Sequence, residues 1–352
     1  MATMLTNLVL SPENLNSIRD AVQQKFYEVE DFERFVRVMR VKDTTPIALI
    51  GELEDVGLDG AGCDPEYTTA DIANSQKRWE FGDWSIALKI CYEALEGTIA
   101  EYSFKTGTAI GDLTDTDFMA IYTLALERAM KRMIWRFGWF GDKAADTVAN
   151  GGVLKNGTDT KLFSVCDGLF KRIFTQVTAN SAQYTAIAAN SQTSYAAQKS
   201  AILASGVATS LFDTILMDAD SRLFADGGSV LMMTKGLADA LAHDIRVTYK
   251  DNLPFERIFD GFEVAEYAGV RVARVSIWDN IIKTYENDGT KYNKPYRAVF
   301  ANPENLLVGT NAESLISDLD IWFDKKERRN YIYATGKIDA NLLDETLFHA
   351  AY

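Results

Sequence analysis

Histidine and cysteine, the residue types that most often carry catalytic or metal-binding chemistry, are scarce in this chain. There are two histidines, His243 and His349, and three cysteines, Cys63, Cys91 and Cys166. No two cysteines have the C-x-x-C spacing of a zinc site, and an odd number does not predict a disulfide framework. Since general-base, triad and transition-metal chemistry depends largely on histidine, we expect both histidines to be surface or capping residues. The sequence predicts no metal, no cofactor and no enzyme of these classes.

The glycine-rich stretches do not match the loops that hold phosphates. A phosphate-binding loop has the pattern G-x-x-x-x-G-K-[ST], whereas Gly336-Lys337 lacks the earlier glycine. The glycines of residues 57–62 are spaced G-x-x-G-x-G, which is not the order of a dinucleotide-binding loop. Carboxylates alone can perform acid–base catalysis, so a carboxylate-dependent enzyme is kept as the least favoured alternative.

Composition predicts a folded, acidic protein. The 352 residues include 36 Lys and Arg against 50 Asp and Glu, a formal net charge of −14, with 47% hydrophobic and 24% charged residues. These proportions exclude intrinsic disorder, and the missing basic patch argues against a sequence-specific nucleic-acid reader. The sequence contains no run of about 18 apolar residues, so we expect no membrane span. The first basic residue is Arg19, so we expect no signal peptide.

The first quarter of the chain predicts an arm and a two-stranded excursion. Residues 11–40 have helical spacing of apolar residues, with Phe32 and Phe35 continuing the pattern after an acidic pair. Residues 45–90 contain many turn-forming residues and acids, followed by a strand rich in bulky side chains. A two-stranded ribbon is barely stable alone in water, so we expect it to lie on another surface.

The rest of the chain predicts an α+β fold without alternating βαβ units. A rod-like helix is predicted over residues 114–138, with Gly138 as its C′ residue. The other predicted helices are 169–174, 193–225 with a break at Gly206, and 236–246. Strands are predicted at 229–234, 263–267, 270–275, 297–301, 305–309, 320–323, 331–337 and 347–352.

This order of elements, and four stretches within it, resemble the major capsid proteins of tailed bacteriophages with the Hong Kong 97-like fold. ALERAMKRMIWRFGWFGDKAAD (125–146) is similar to the end of that family's long spine helix and its FGDG-type turn, with Lys143 replacing the last glycine. FDGFEVAEYAGVRVARVSIWDN (259–280) resembles an axial-domain hairpin. Residues 296–310 and 328–352 resemble the closing strands.

The resemblance implies a division of the chain and a function. It implies an N-terminal arm (1–45), an E-loop hairpin (46–92), a P-domain with the spine helix (93–235), an A-domain (236–325) and closing strands (326–352). It implies a structural, non-enzymatic subunit of an icosahedral head, assembled in the host cytoplasm into hexamers and pentamers of the virion. The expected partners are copies of the chain, portal, scaffold and decoration proteins, and packaged double-stranded DNA bound without sequence specificity; no membrane is expected.

Bulky aromatic side chains on the arm and the ribbon are the predicted inter-subunit contacts. They are Phe26, Phe32, Phe35, Trp79, Phe81 and Trp84. The aromatic cluster of the ribbon is expected to be exposed on an isolated subunit, where it would be a liability. The alternative function within the same fold is the shell of an encapsulin-type nanocompartment.

Overall fold

Helices and strands follow one another irregularly along the chain, and the strands form three sheets. The computed structural model describes residues 31–41, 46–53, 72–91, 112, 117–225, 227–248, 250–251, 255–257, 263–311 and 320–352. The described helices are α1 (Asp117–Phe140), α2 (Leu169–Ala179), α3 (Tyr195–Ile202), α4 (Val207–Asp218), α5 (Arg222–Ala225), α6 (Lys235–Thr248) and α7 (Ser276–Tyr285).

The described strands are numbered in chain order. They are β1 (Arg37–Arg40), β2 (Ile47–Leu53), β3 (Ile72–Lys77), β4 (Gly82–Cys91), β5 (Tyr184–Thr185), β6 (Val230–Thr234), β7 (Glu256–Arg257), β8 (Glu263–Tyr267), β9 (Val270–Val275), β10 (Ala298–Ala301), β11 (Leu306–Thr310), β12 (Asp320–Asp324), β13 (Arg329–Leu342) and β14 (Phe348–Ala351). The mixture of helix and sheet confirms the predicted α+β class.

A seven-stranded sheet forms the centre of one half of the molecule. Its order is β5-β14-β10-β6-β9-β8-β7, with the β5–β14 and β6–β9 pairs parallel and the others antiparallel. One face packs on α4 and α6, and Leu231, Phe300 and Phe212 belong to the same apolar cluster there. The opposite face packs on α1, α2 and α7. This sheet is therefore buried on both faces, which explains why its central strands β6 and β10 read as continuous apolar runs.

A five-stranded sheet is organised around β13, the longest strand. β1 and β11 continue one end in the order β1-β11-β13, while β12 and β4 flank the other end on opposite sides. Val308 and Ile332 belong to the same apolar cluster as residues of α1 and the seven-stranded sheet. One continuous core therefore joins the two large sheets.

Helix α1 is longer than predicted at its C-terminal end. It continues through Gly138 to Phe140, so the prediction that Gly138 ends the helix is wrong. The glycine is needed for a different reason: a Cβ atom there would lie 2.5 Å from the ring of Phe32. The 24 residues give a rod of roughly 36 Å.

The segment before the ribbon is not the continuous helix that its apolar spacing suggested. Phe32–Arg34 form one turn of 3₁₀ helix, and Arg37–Arg40 pair in parallel with β11. Backbone pairing with an existing sheet supplies hydrogen bonds that an isolated helical turn would lack. The predicted helix from residue 11, including Phe26, lies outside the described residues.

Several predicted elements are confirmed within a few residues of their boundaries. The 193–225 stretch is helical and is interrupted at Gly206, which lies between α3 and α4. The predicted hairpin is β8 and β9, joined at Ala268-Gly269. The seven-stranded sheet draws its strands from residues 184–351, and the domain boundaries given above remain a prediction.

Candidate assembly site at the ribbon root

Two of the predicted contact residues lie in the interior of their own chain. Phe32 is 6% exposed and Phe35 is 4% exposed, and both pack edge-on against Trp135 of α1. The ring centroids are 5.2 Å and 5.8 Å from that of Trp135. Their main role here is to attach the segment before β1 to the long helix.

The ribbon aromatics are also covered by their own chain, so the expected exposure is wrong. Trp79 is 5% exposed and belongs to an apolar cluster with Val41, Ile47 and Leu307. Phe81 is half-buried and stacks on Trp79 at 5.7 Å between centroids. Large aromatic side chains are highly buried on average, whichever molecule buries them. Whether any of these side chains also touches another copy remains a prediction.

Trp84 attaches β4 to β13 through close packing. It is 4% exposed, and its register partner on β13 is Gly336. A Cβ atom at Gly336 would lie 2.5 Å from Trp84 Cζ2, so the indole needs a glycine opposite it. This contact fixes β4 on the body of the chain.

The ribbon consists of the strands β2 and β3, and it leaves the body at this point. Ile47 pairs with Lys77 at the base, and Leu53 pairs with Ile72 farther out. Among the described residues, neither strand joins a third one. The segment 77–80, called here the ribbon root, connects β3 to β4 and lies against the body.

Charged side chains of the body hold the ribbon root. Lys77 Nζ donates to the carbonyl oxygen of Leu342 at 2.7 Å and pairs with Glu345 at 2.8 Å. Lys143 Nζ lies 3.2 Å from the carbonyl oxygen of Glu80 and 3.1 Å from its Oε2. The root is therefore held by the C-terminal strands on one side and by the turn after α1 on the other.

A buried carboxylate on β13 completes this arrangement. Asp339 is 0% exposed, accepts the backbone N–H of Glu80 at 2.8 Å, and pairs with Arg172 of α2 at 3.2 Å. Burial raises the pKa of Asp339, and the Glu80 N–H and Arg172 oppose that shift. The carboxylate thus depends on two partners from different parts of the chain.

An exposed aromatic face, which sequence reasoning missed, lies on the β12–β13 part of the five-stranded sheet. Trp322 and Tyr333 are 44% and 41% exposed, and Tyr331 stacks on Trp322 at 5.5 Å between centroids. Trp322 is the register partner of Tyr331, so all three side chains lie on one face. The alternation in DIWFD and RNYIYAT could have indicated a half-exposed sheet.

His349 is buried, so the prediction of a surface or capping histidine is wrong for it. It is 1% exposed on β14, and its Nε2 lies 2.8 Å from Thr185 Oγ1. Burial lowers the pKa of His349, which favours the neutral ring. β14 lies between β5 and β10 in the seven-stranded sheet. A neutral imidazole with a hydroxyl partner can be buried in such a strand because its polar atom is hydrogen-bonded.

Two of the buried acids that a carboxylate enzyme could use, Asp279 and Asp244, accept hydrogen bonds from backbone groups. Asp279 accepts the N–H groups of Lys235 and Gly236 at the start of α6, and burial raises its pKa. Asp244 accepts the N–H groups of Gly206 and Thr209 at the start of α4. Both carboxylates therefore have a structural role as helix caps.

Two further findings concern metals and membranes. In the part of the chain that the structure describes, no group of three or more His, Cys, Asp or Glu side chains could hold a metal ion. No single described helix has the length and hydropathy to cross a membrane, and the one pair that passes together, Tyr195–Ile202 with Val207–Asp218, is bent by 71°.

Comparisons with known proteins give matches in structure and none in sequence. No protein-family model and no curated protein matches this chain. A chain from the capsid of an empty GTA particle is 12% identical, with a TM-score of 0.50 over 91% of this chain and 88% of that one. A chain from Mycobacterium phage Ogopogo is 12% identical, with a TM-score of 0.51 over 92% of each chain. A chain from Gordonia phage Cozz is 12% identical, with a TM-score of 0.50 over 92% of this chain and 87% of that one.

These matches cover 91% to 92% of the chain. At this level of identity they show a shared three-dimensional arrangement. The chain therefore has the α+β fold of a capsid protein.

Proposed function

We propose that this chain is the structural major capsid protein of a tailed bacteriophage with the Hong Kong 97-like fold. Copies of it would form the hexamers and pentamers of an icosahedral head that encloses double-stranded DNA. The match to the GTA capsid chain supports this, because it covers 91% of this chain and 88% of that one and leaves little of either outside.

The two-stranded ribbon is the single observation that carries the proposal. Within the described residues, β2 and β3 are hydrogen-bonded to each other and to no third strand. A two-stranded ribbon is marginally stable in water, whereas its root is firmly attached by Trp79, Lys77 and Asp339. We infer that the ribbon lies over an adjoining copy, which supplies a further surface for it.

Copies of the chain are the main partners in this proposal, with portal, scaffold and decoration proteins as further ones. The net charge of −14 opposes close contact with phosphates, so packaged DNA would be held without sequence-specific binding. The protein would belong to the virion, would assemble in the host cytoplasm and would not contact a membrane. The arm, E-loop, P-domain, A-domain and closing strands with the boundaries given above belong to the same proposal.

Electron microscopy of the purified full chain tests the proposal. We expect rings of five or six subunits or closed shells. A protein that stays a 39.2 kDa monomer at every concentration, in the presence and absence of its neighbouring structural proteins, would contradict it. Particles that enclose an enzyme in place of DNA would support the nanocompartment alternative.

A shortened ribbon provides the matched variant. Because Leu53 pairs with Ile72, an Asn-Gly turn in place of residues 54–71 can close the hairpin with two residues. We expect this variant to unfold at the same temperature as the full chain and to form no shells. Shells at the normal yield would show that assembly does not require residues 54–71.

A further inference from the structure

We infer that Lys143 and Asp339 are positioning residues that fix the direction in which the ribbon leaves the body. The inference rests on the proposed function, since the ribbon direction matters only if the ribbon must reach a neighbouring copy. It comes from the geometry at the ribbon root, where Lys143 and Asp339 contact Glu80 from two separate parts of the body and Arg172 pairs with Asp339.

Lys143 holds the root from the turn that follows α1. Its backbone N–H donates to Asp167 at 2.9 Å, which anchors the residue itself. Its Nζ then reaches both the carbonyl oxygen and the carboxylate of Glu80, at 3.2 Å and 3.1 Å. Two contacts from one ammonium group to the same residue restrain the backbone of the root as well as its side chain.

Asp339 holds the same residue from the opposite side. One carboxylate oxygen accepts the Glu80 N–H at 2.8 Å, and the other pairs with Arg172 at 3.2 Å. Arg172 belongs to α2, so the helix, the strand β13 and the ribbon root meet at one carboxylate. The N–H and the C=O of Glu80 are therefore each held by a different charged group.

This clamp is separate from the packing that keeps the root folded. Trp79 and Trp84 attach the chain on either side of Glu80 through apolar contacts, and neither contact needs Lys143. Lys143 and Glu80 are 39% and 64% exposed, and exposed ion pairs contribute little to global stability. Removing Lys143 should thus loosen the root and leave the fold intact.

Lys171 offers a matched control for Lys143. It is 42% exposed and pairs with Asp142 at 3.0 Å, so its exposure, its ion-pair distance and its location near the same turn are comparable. Its ion-pair partner, Asp142, belongs to the turn after α1 and not to the ribbon root. Lys143→Ala and Lys171→Ala therefore differ mainly in whether the clamp is removed.

Hydrogen–deuterium exchange of the full chain before assembly, followed by microscopy of the particles, tests the inference. For Lys143→Ala we expect the amides of residues 78–81 to exchange about threefold faster than in Lys171→Ala, and the particles to vary more in size. The two variants should unfold at the same temperature. For Asp339→Asn we expect exchange to be at least tenfold faster, because the Glu80 N–H and Arg172 lose a charged acceptor.

Equal exchange at residues 78–81 in Lys143→Ala and Lys171→Ala would overturn the inference, and so would faster exchange in Lys143→Ala with particles of unchanged size. If Asp339→Asn does not fold, the lysine pair still decides the question. Failure of the unsubstituted chain to form particles would refute the proposed function instead, and the exchange data would still report on the clamp.

Discussion

The contact between Trp84 and Gly336 gives the most quantitative prediction, because the two residues should be energetically coupled. A Cβ atom at residue 336 would lie 2.5 Å from Cζ2 and 2.6 Å from Cε2 of the buried indole. Forcing a methyl group into a packed core costs about 1–3 kcal/mol. We therefore expect Gly336→Ala to lower the free energy of unfolding by about 2 kcal/mol.

Replacing the indole of Trp84 with a smaller ring should remove part of the cost of Gly336→Ala. The Nε1 atom of Trp84 has no hydrogen-bond partner among the described residues, so Trp84→Phe loses only packing, about 1–2 kcal/mol. The phenyl ring lacks the Cζ2 atom that the new methyl group would meet. The double variant should consequently be about 1 kcal/mol more stable than the sum of the two single effects predicts.

Guanidinium unfolding of the unassembled chain and its three variants measures this coupling. The denaturant slope should stay the same, so that the midpoints report stability alone. A neutral Gly336→Ala, or the same cost for Gly336→Ala in both backgrounds, would refute the argument that Trp84 requires glycine opposite it.

Two other predictions concern buried titratable groups. Burial lowers the pKa of His349, so its contribution to stability is present above about pH 6.5 and is lost as the pH falls. Between pH 7 and 5.5 the unfolding midpoint should fall less in His349→Gln than in the unsubstituted chain. Equal pH profiles for the two proteins would contradict this. Burial alone would raise the pKa of Asp244, but hydrogen bonds from Gly206 and Thr209 outweigh it and lower the pKa, so this contribution is lost only on acidification below about pH 4. At pH 7, Asp244→Ala should cost about 1–2 kcal/mol in a thermal or chemical unfolding experiment, and a change within 0.5 kcal/mol (roughly the size of an ordinary surface effect) would rule out the cap.

Local patterns in the sequence were enough to predict most elements of the second half of the chain. The β8–β9 hairpin is confirmed because alternation in VRVARV and the Ala268-Gly269 turn both point to it. The break between α3 and α4 is confirmed because Gly206 interrupts an otherwise helical stretch. These features depend on residues that are neighbours in the sequence, so one sequence is enough to predict them.

Long-range partners could not be predicted in the same way. The pairing of β1 with β11 joins residues about 270 positions apart, and it replaces the helix that the spacing near Phe35 suggested. The sequence predicts Gly138 as a helix end, whereas the structure needs glycine there because the ring of Phe32 leaves no room for a Cβ atom. Phe32 comes from a distant segment, so the local pattern does not reveal this contact. Buried His349 was missed because its partner Thr185 lies on another strand.

At the ribbon root, too, local features could be predicted from the sequence and long-range contacts could not. Trp79 was recognised as a residue that needs a partner surface, and the structure shows that its own chain supplies that surface. The clamp at Glu80 was not predictable, because Lys143 and Asp339 carry no sequence signal that links them to this position. Charged residues on a predicted surface become specific only when the fold brings their partners to them.

A cryo-electron microscopy reconstruction of the assembled particle tests the central claim most directly. The account predicts a closed shell in which the outer parts of β2 and β3 of each copy lie over an adjoining copy, while Ile47 and residues 77–80 stay on their own body. A ribbon that folds back onto its own chain throughout the particle would contradict it.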